Sequence, residues 1–245
     1  MTYCVGMLLD AGMVFLADSR TNAGVDQIST FRKISVFEKT GERVMVLMSA
    51  GNLAISQSLV NMLRERIQQN EGEHLYNVQN MYEAARHVGS VLREIHARDA
   101  EAMKEHNIEF NASLIFGGQI GFESPRMFCI YAPGNFIEAT ADTPYFQIGE
   151  SKYGKPIIDR VVTRSTSLAQ AAKCALISMD STIRSNLSVG LPLDLLSIHR
   201  DALRVHSHVS INEDHDYFKM IRTRWSESLR HAFHELPDPE WMRRS

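Results

Sequence analysis

The sequence predicts an α+β fold, a four-layer αββα sandwich of two stacked antiparallel sheets, from three observations. Short apolar runs arranged as hairpins open the chain, two long stretches of helical periodicity follow, and strands and helices then alternate again through the second half. Two sheets built from such runs bury their inner faces on each other and leave their outer faces for the helices.

Thr2 to Leu9 and Met13 to Ala17 are apolar runs separated by Asp10-Ala11-Gly12, a hairpin signal. A second pair runs from Lys33 to Glu38 and from Arg43 to Met48, continuing into Ser49-Ala50-Gly51, so four strands are expected before any helix. Asn52 reads as an N-cap, and Leu53, Ile55, Leu59, Leu63 and Ile67 predict a helix up to Gln69. A second helix is expected from about Asn77 to Glu105, with Met81, Ala84, Val88, Leu92 and Ile95 facing inward. Strands return at Asn111 to Gly118, Arg126 to Ala132 and Phe136 to Ala139, and helices at Lys152 to Val162 and Ser167 to Arg184. Strands at Leu193 to His199 and Leu203 to His208 precede a helix from Asp214 to His234, which Pro237 and Pro239 end.

No repeat, low-complexity stretch or flexible linker divides the 245 residues, so one domain spanning 1–245 is expected, with a helical extension at about 212–245. A formal charge of -3 gives no general attraction to nucleic acid or to an anionic membrane surface, and neither partner is expected. Cys4, Cys129 and Cys174 are too few and too scattered for a disulfide framework and fit a reducing, cytoplasmic setting. The opening MTYCVGMLLDAGMVFLADSR has no basic leader and carries Asp10 inside its apolar run, so it reads as a strand pair and not as a signal peptide or membrane span.

Thr2 follows the initiator methionine, and a residue this small is what methionine aminopeptidases generally tolerate. Thr2 begins the first strand, Asp18 closes the next one and Lys33 opens the third. Adjacent antiparallel strands would set the Thr2 hydroxyl beside the Lys33 ammonium, with the Asp18 carboxylate fixing that ammonium. A threonine hydroxyl is a weak nucleophile unless a base takes its proton, and a free α-amine with a reference pKa of about 8 can be that base on the same residue. The Lys33 charge would favour the neutral amine and the developing alkoxide, and Asp18 would offset its burial. Ser49-Ala50-Gly51 leads into a helix N-terminus, where the Gly51 N–H could receive an oxyanion. Taken singly, Gly51 has a second reading as a turn glycine, Asp18 as a turn cap and Lys33 as a solvated strand end.

Thr2, the block Asp18-Ser19-Arg20-Thr21-Asn22-Ala23-Gly24, Arg32-Lys33 and Ser49-Ala50-Gly51 together resemble the proteasome β-subunit superfamily. The opening Met-Thr-Tyr-Cys-Val-Gly, the segment Val25-Asp26-Gln27-Ile28 and the tail from His215 through Trp225 to Trp241 resemble its bacterial ancestral-β-subunit branch, Anbu. The resemblance implies the N-terminal nucleophile hydrolase fold and a threonine peptidase that forms an acyl-enzyme on Thr2 after removal of Met1. It makes Asp18 and Lys33 its support, gives the Gly51 N–H the oxyanion, and assigns substrate binding to Asn22 and Ser49. Peptides or unfolded proteins are the implied substrate, and a ring or spiral homo-oligomer is the implied assembly.

The second half departs from the family pattern. Gly149-Glu150-Ser151 stands where many members have Gly-Ser-Gly, so either Glu150 or Ser151, with Ser188 in the later segment, takes over support for the nucleophile's amine, or that support is missing. Ser185, three residues before Ser188, stands where an aspartate is usual. An amidase or transpeptidase on the same scaffold, or a non-catalytic ring-forming subunit, remains the alternative.

Other signals are weaker. Gly149 to Lys155 fits the first seven positions of a phosphate loop, but Pro156 follows where a hydroxyl and an N–H are needed. His231 and His234 do not follow a zinc-protease order, His206 and His208 lack a third ligand, and no metal or other cofactor is expected. Cys4 has neither the His nor the Asn or Asp partner of a thiol nucleophile.

Overall fold

The computed structural model describes residues 2–22 and 28–242, and at 21, 22, 28 and 29 it describes the backbone only. Met1, Ala23, Gly24, Val25, Asp26 and Gln27, which carried part of the sequence reading, lie outside the described residues.

The opening hairpin pairs β1 (Tyr3–Leu9) with β2 (Gly12–Asp18), in a register that sets Cys4 opposite Ala17 and Leu9 opposite Gly12. Every residue of both strands is buried, so the pair reads as continuous apolar runs and not as an alternation. A short hairpin of β3 (Arg20–Asn22) and β4 (Ile28–Thr30) follows, then β5 (Ile34–Lys39) and β6 (Arg43–Gly51). Among the described residues six strands therefore precede the first helix where four were expected, because three-residue strands are too short to show a period.

Asn52 caps α1 (Leu53–Gln69), its side chain accepting from the Ala54 N–H. The second helix, α2 (Met81–Glu105), begins later than expected because Asn80 is its cap: Asn80 Oδ1 accepts from Glu83 N–H at 2.9 Å. Strands β7 (Ala112–Ile120), β8 (Arg126–Tyr131) and β9 (Phe136–Glu138) complete a sheet of order β5-β6-β7-β8-β9, on which α1 and α2 pack.

Tyr145–Gly149 forms β10, which the sequence reading missed. The five residues follow Pro144, end in Gly149 and include a polar Gln147, so nothing but the neighbouring β1 identifies them as a strand. Then come α3 (Lys155–Val161), α4 (Leu168–Ser185), β11 (Leu193–His199), β12 (Ser207–Ile211) and α5 (Asp216–Glu235). The expected strand from Leu203 to His208 is corrected to Ser207–Ile211: Asp201 and Leu203 adopt φ of 63° and 48°, so the chain is still turning there. The other sheet has the order β10-β1-β2-β11-β12 and carries α3, α4 and α5 on its outer side.

Three apolar layers result. Phe15, Met48, Ile115 and Met127 fill the space between the sheets, while the two outer layers lie under α1 and α2 and under α4 and α5. Asp180 of α4 is buried and binds Arg184 at 3.0 Å and Arg222 of α5 at 2.8 Å, which ties the first half of α5 to the body. Phe218 and Ile221 are core residues, whereas α5 is solvent-exposed from Glu227 onward. Among the described residues no helix is long and apolar enough to cross a membrane.

Candidate functional site

The site forms where β1 begins, β2 ends and β5 is about to start. Tyr3, the first residue of β1, is anchored at both ends: its N–H donates to Asp18 Oδ1 at 3.0 Å, and its buried hydroxyl accepts from Gln147 Nε2 and pairs with Ser178 Oγ, both at 2.7 Å. Thr2 is one peptide bond away. Its carbonyl accepts from the Glu150 N–H at 2.7 Å. Gly149 beside it has φ of 82°, and a Cβ there would lie 2.0 Å from the Thr2 oxygen, so only glycine allows this approach.

Asp18 and Lys33 are 1% and 8% exposed. Lys33 Nζ donates to Asp18 Oδ1 at 2.7 Å and to the Arg20 carbonyl at 2.8 Å. Burial pushes the Asp18 carboxyl above its ordinary 3.8, while Lys33 and the N–H groups of Tyr3 and Gly190 pull the other way. Asp18 is therefore not turned to solvent, and Lys33 is not a solvated strand end.

Gly51 is the last residue of β6, with φ of 112°, and a Cβ there would meet the Asn111 carbonyl oxygen at 2.3 Å. The backbone reading of this glycine holds, and the same constraint fixes the direction of its N–H just ahead of the α1 cap. Ser49, two residues earlier, donates its N–H to the Lys33 carbonyl at 3.2 Å and lines, with Lys33, a groove of about 640 Å³. The backbone of Asn22 lies in β3 opposite Ile28, and its side chain is outside the described residues.

The turn after β10 approaches Thr2 from the other side. Glu150 accepts from Lys152 N–H at 3.1 Å and from Asn186 Nδ2 at 3.2 Å. Ser151 and Ser188 enter this arrangement through their backbones: the Ser151 carbonyl accepts from Lys155 N–H at 3.0 Å, and Ser188 N–H donates to Asn186 Oδ1 at 3.0 Å. The side chain that reaches Glu150 is thus Asn186, one place beyond Ser185, and the sequence reading missed it. Its signal was positional: Asn186 is the residue that ends α4, in an extended conformation.

Arg20 fastens the 187–190 loop to this corner. Its Nη1 donates to the Leu187 carbonyl at 2.9 Å, and a Cβ on Gly190 would lie 2.3 Å from the guanidinium carbon. The Pro192 carbonyl accepts from Ser19 Oγ at 2.6 Å and from Ser19 N–H at 3.0 Å.

The competing signals take structural places. Cys4 is fully buried with its Sγ 3.8 Å from the Ser49 carbonyl, and burial raises its thiol far above the usual range, so it is not a thiolate nucleophile. The Glu150 N–H is spent on Thr2, and the Lys152 N–H on Glu150, in the segment that resembles a phosphate loop. His206 precedes β12 and meets His199 edge to face, with ring centroids 4.1 Å apart, and His231 faces Glu235 at 3.2 Å on the exposed part of α5.

The proteasome subunit family profile matches residues 2–192. Among solved structures, the chain is 55% identical to Anbu (ancestral β-subunit) from Yersinia bercovieri, covering 97% of this chain and 99% of that one with a TM-score of 0.92. A structure described as the helical assembly of the Anbu complex from Pseudomonas aeruginosa is 51% identical, covering 97% and 98% with a TM-score of 0.92. Anbu from Hyphomicrobium sp. strain MC1 is 48% identical, covering 97% and 99% with a TM-score of 0.91. Comparison with curated proteins returns no match. With a family profile over most of its length and relatives of this identity over nearly all of it, the chain belongs to the proteasome subunit family, in its ancestral β-subunit branch.

Proposed function

We propose that the chain is a threonine peptidase of the N-terminal nucleophile type, acting through Thr2 after removal of Met1. The observation that carries this reading is the buried Asp18–Lys33 pair at 2.7 Å, bonded through Asp18 Oδ1 to the N–H of the residue next to Thr2. An ammonium has three protons to donate, and Asp18 and the Arg20 carbonyl take two. The third is assigned in this reading to Thr2 Oγ1 as it develops charge in the attack.

In this mechanism the freed α-amine takes the proton of Thr2 Oγ1 as that oxygen attacks the scissile carbonyl. The carbonyl oxygen becomes an oxyanion and is received by the Gly51 N–H. Collapse breaks the C–N bond, the ammonium returns the proton to the departing amine, and an ester on Thr2 remains. Water, deprotonated by the same amine, then hydrolyses the ester. Glu150, held by Asn186, supports the amine, and Ser49 lines the groove for the substrate residue preceding the cut. Asn22 aligns the substrate backbone.

The chain is read as one peptidase domain whose C-terminal helix extends beyond it and contributes to self-association, in keeping with the helical assembly of the Pseudomonas aeruginosa relative. Three buried, unpaired cysteines favour a cytoplasmic setting.

Intact-mass measurement combined with a threonine-directed electrophile tests the proposal. Loss of Met1, one covalent adduct and its disappearance in Thr2→Ala are expected. Retention of Met1, or an assembled protein whose Thr2 never labels, would reject the peptidase in favour of a non-catalytic subunit.

A further inference from the structure

The groove beside Ser49 carries a charge bias that the proposed peptidase mechanism does not use. Helix α1 supplies one of its walls with Gln57, Asn61 and Arg64, whose spacings of four and three residues put them on one helix face. Arg32 and Lys33 enter from the chain leading into β5, and among the described residues no aspartate or glutamate lines the groove.

The three cations differ in how they are matched. Lys33 is neutralised by Asp18, whereas Arg32 and Arg64 form no ion pair among the described residues. Their neighbour Arg66 points elsewhere and binds Glu94 of α2 at 2.5 Å. Alongside apolar lining from Phe31, Ile34 and Val60, two unmatched guanidinium groups, the Gln57 and Asn61 carboxamides and Ser49 give the groove hydrogen-bond donors and an excess of positive charge.

We propose that this groove selects an acidic side chain, so that the enzyme cleaves peptides after glutamate or aspartate. The inference rests on the peptidase reading above and adds the substrate class. Arg64 is the specificity-determining residue: it sits on a rigid helix, and its fork can hold a carboxylate in two parallel hydrogen bonds. An aliphatic side chain would leave the donors unpaired by substrate, and a lysine would meet like charge.

Three peptide epoxyketones that differ only in a Glu, Leu or Lys side chain next to the electrophile provide the test, with adduct formation on Thr2 followed by intact mass. The Glu compound is expected to react about tenfold faster than the Leu compound and the Lys compound slowest. In Arg64→Glu the order should invert in favour of Lys. Because Arg64 is exposed, this variant should keep the parent's thermal midpoint. Labelling of Thr2 fastest by Leu, or an order unchanged by Arg64→Glu, overturns acidic selectivity while leaving the peptidase in place. No labelling by any compound in protein that has lost Met1 overturns the peptidase reading itself, and the selectivity with it.

Discussion

Asn186 holds Glu150: its Nδ2 donates to Glu150 Oε2 at 3.2 Å, while the Glu150 N–H donates to the Thr2 carbonyl at 2.7 Å. An acid and an amide from two distant turns are thereby brought to Thr2, whose amine is the base in the proposed mechanism.

The role proposed for Glu150 has a signed consequence. A carboxylate near the Thr2 ammonium favours the charged form, so removing it lowers the pKa of the amine. Since the neutral amine is the base, Glu150→Gln should move the acid limb of the rate of Thr2 labelling to lower pH, by about one unit. Asn186→Ala should move it less, because the carboxylate keeps its charge and loses only a tether. Rate against pH for the three proteins checks this. An unshifted limb with a lowered rate would mean that Glu150 only holds the turn.

The Asp18–Lys33 pair yields a stability prediction. Replacing one member strands the other charge in a buried site, which typically costs about 3–5 kcal/mol, whereas replacing both with groups of similar volume is often neutral or favourable. Lys33→Met and Asp18→Asn should each lower the denaturation midpoint, the double variant should recover most of it, and none of the three should label.

The pH sign follows from burial as the larger influence on Asp18, which lifts its pKa above 3.8 even with Lys33 present. In Lys33→Met that pKa rises further. A group whose folded pKa exceeds its unfolded value contributes stability that is complete below the unfolded pKa and is lost as pH rises through the folded one. Lys33→Met should therefore be closest to the parent in acid and fall furthest behind at neutral pH. Urea unfolding at several pH values reads this directly, and a deficit that does not change with pH would refute it.

How much of this was legible in the sequence depended on where the cause lay. The first hairpin, β5, β6 and the cap at Asn52 could be read because their signals are local: apolar runs, turn residues and an asparagine before a periodic stretch. Asp18 and Lys33 do meet, but not on adjacent strands as expected: β2 and β5 belong to different sheets, and the pair closes across the stack, which no local pattern shows. β10 was not legible, because its five residues become a strand by pairing with β1 from about 140 residues away in the chain, Tyr3 opposite Gly149. Asn186 was missed for a related reason. Which of Ser185, Asn186 and Ser188 faces Glu150 is decided by the residue at which α4 stops, and sequence reasoning is least exact at helix ends.

Gly51 is open to a sharper test than its position allowed. Its φ of 112° and the 2.3 Å that would separate an added Cβ from the Asn111 oxygen require the backbone to move if any side chain is introduced. Gly51→Ala should cost about 1–3 kcal/mol of stability and reduce acylation of Thr2 by about 10²–10³-fold, the usual effect of losing one oxyanion donor. Calorimetry and labelling rates measure the two separately. A variant that is destabilised but reacts at the parent rate would show that the glycine serves the turn alone.

The exposed end of α5 carries the remaining prediction. Tyr217, Phe218, Ile221, Trp225, Leu229 and Phe233 recur at helical spacing, but only Phe218 and Ile221 are core residues. Phe233 is 72% exposed and Trp241, in the short helical turn at Glu240–Met242, is 80% exposed, with Leu229, Leu236 and Met242 also bare. A helix that leaves the body with apolar groups on it gains by burying them against another copy, and a relative of this family does form a helical assembly. Phe233→Glu combined with Trp241→Glu should therefore shift sedimentation toward smaller species without moving the unfolding midpoint of the dissociated protein, since neither residue supports the core. The Asp180 pairs with Arg184 and Arg222 supply the contrast. Asp180→Ala leaves two cations beside a buried face and should lower the midpoint itself, because it releases the first half of α5 from α4. A tail variant that sediments as the parent does would rule out this end of α5 as a contact between copies.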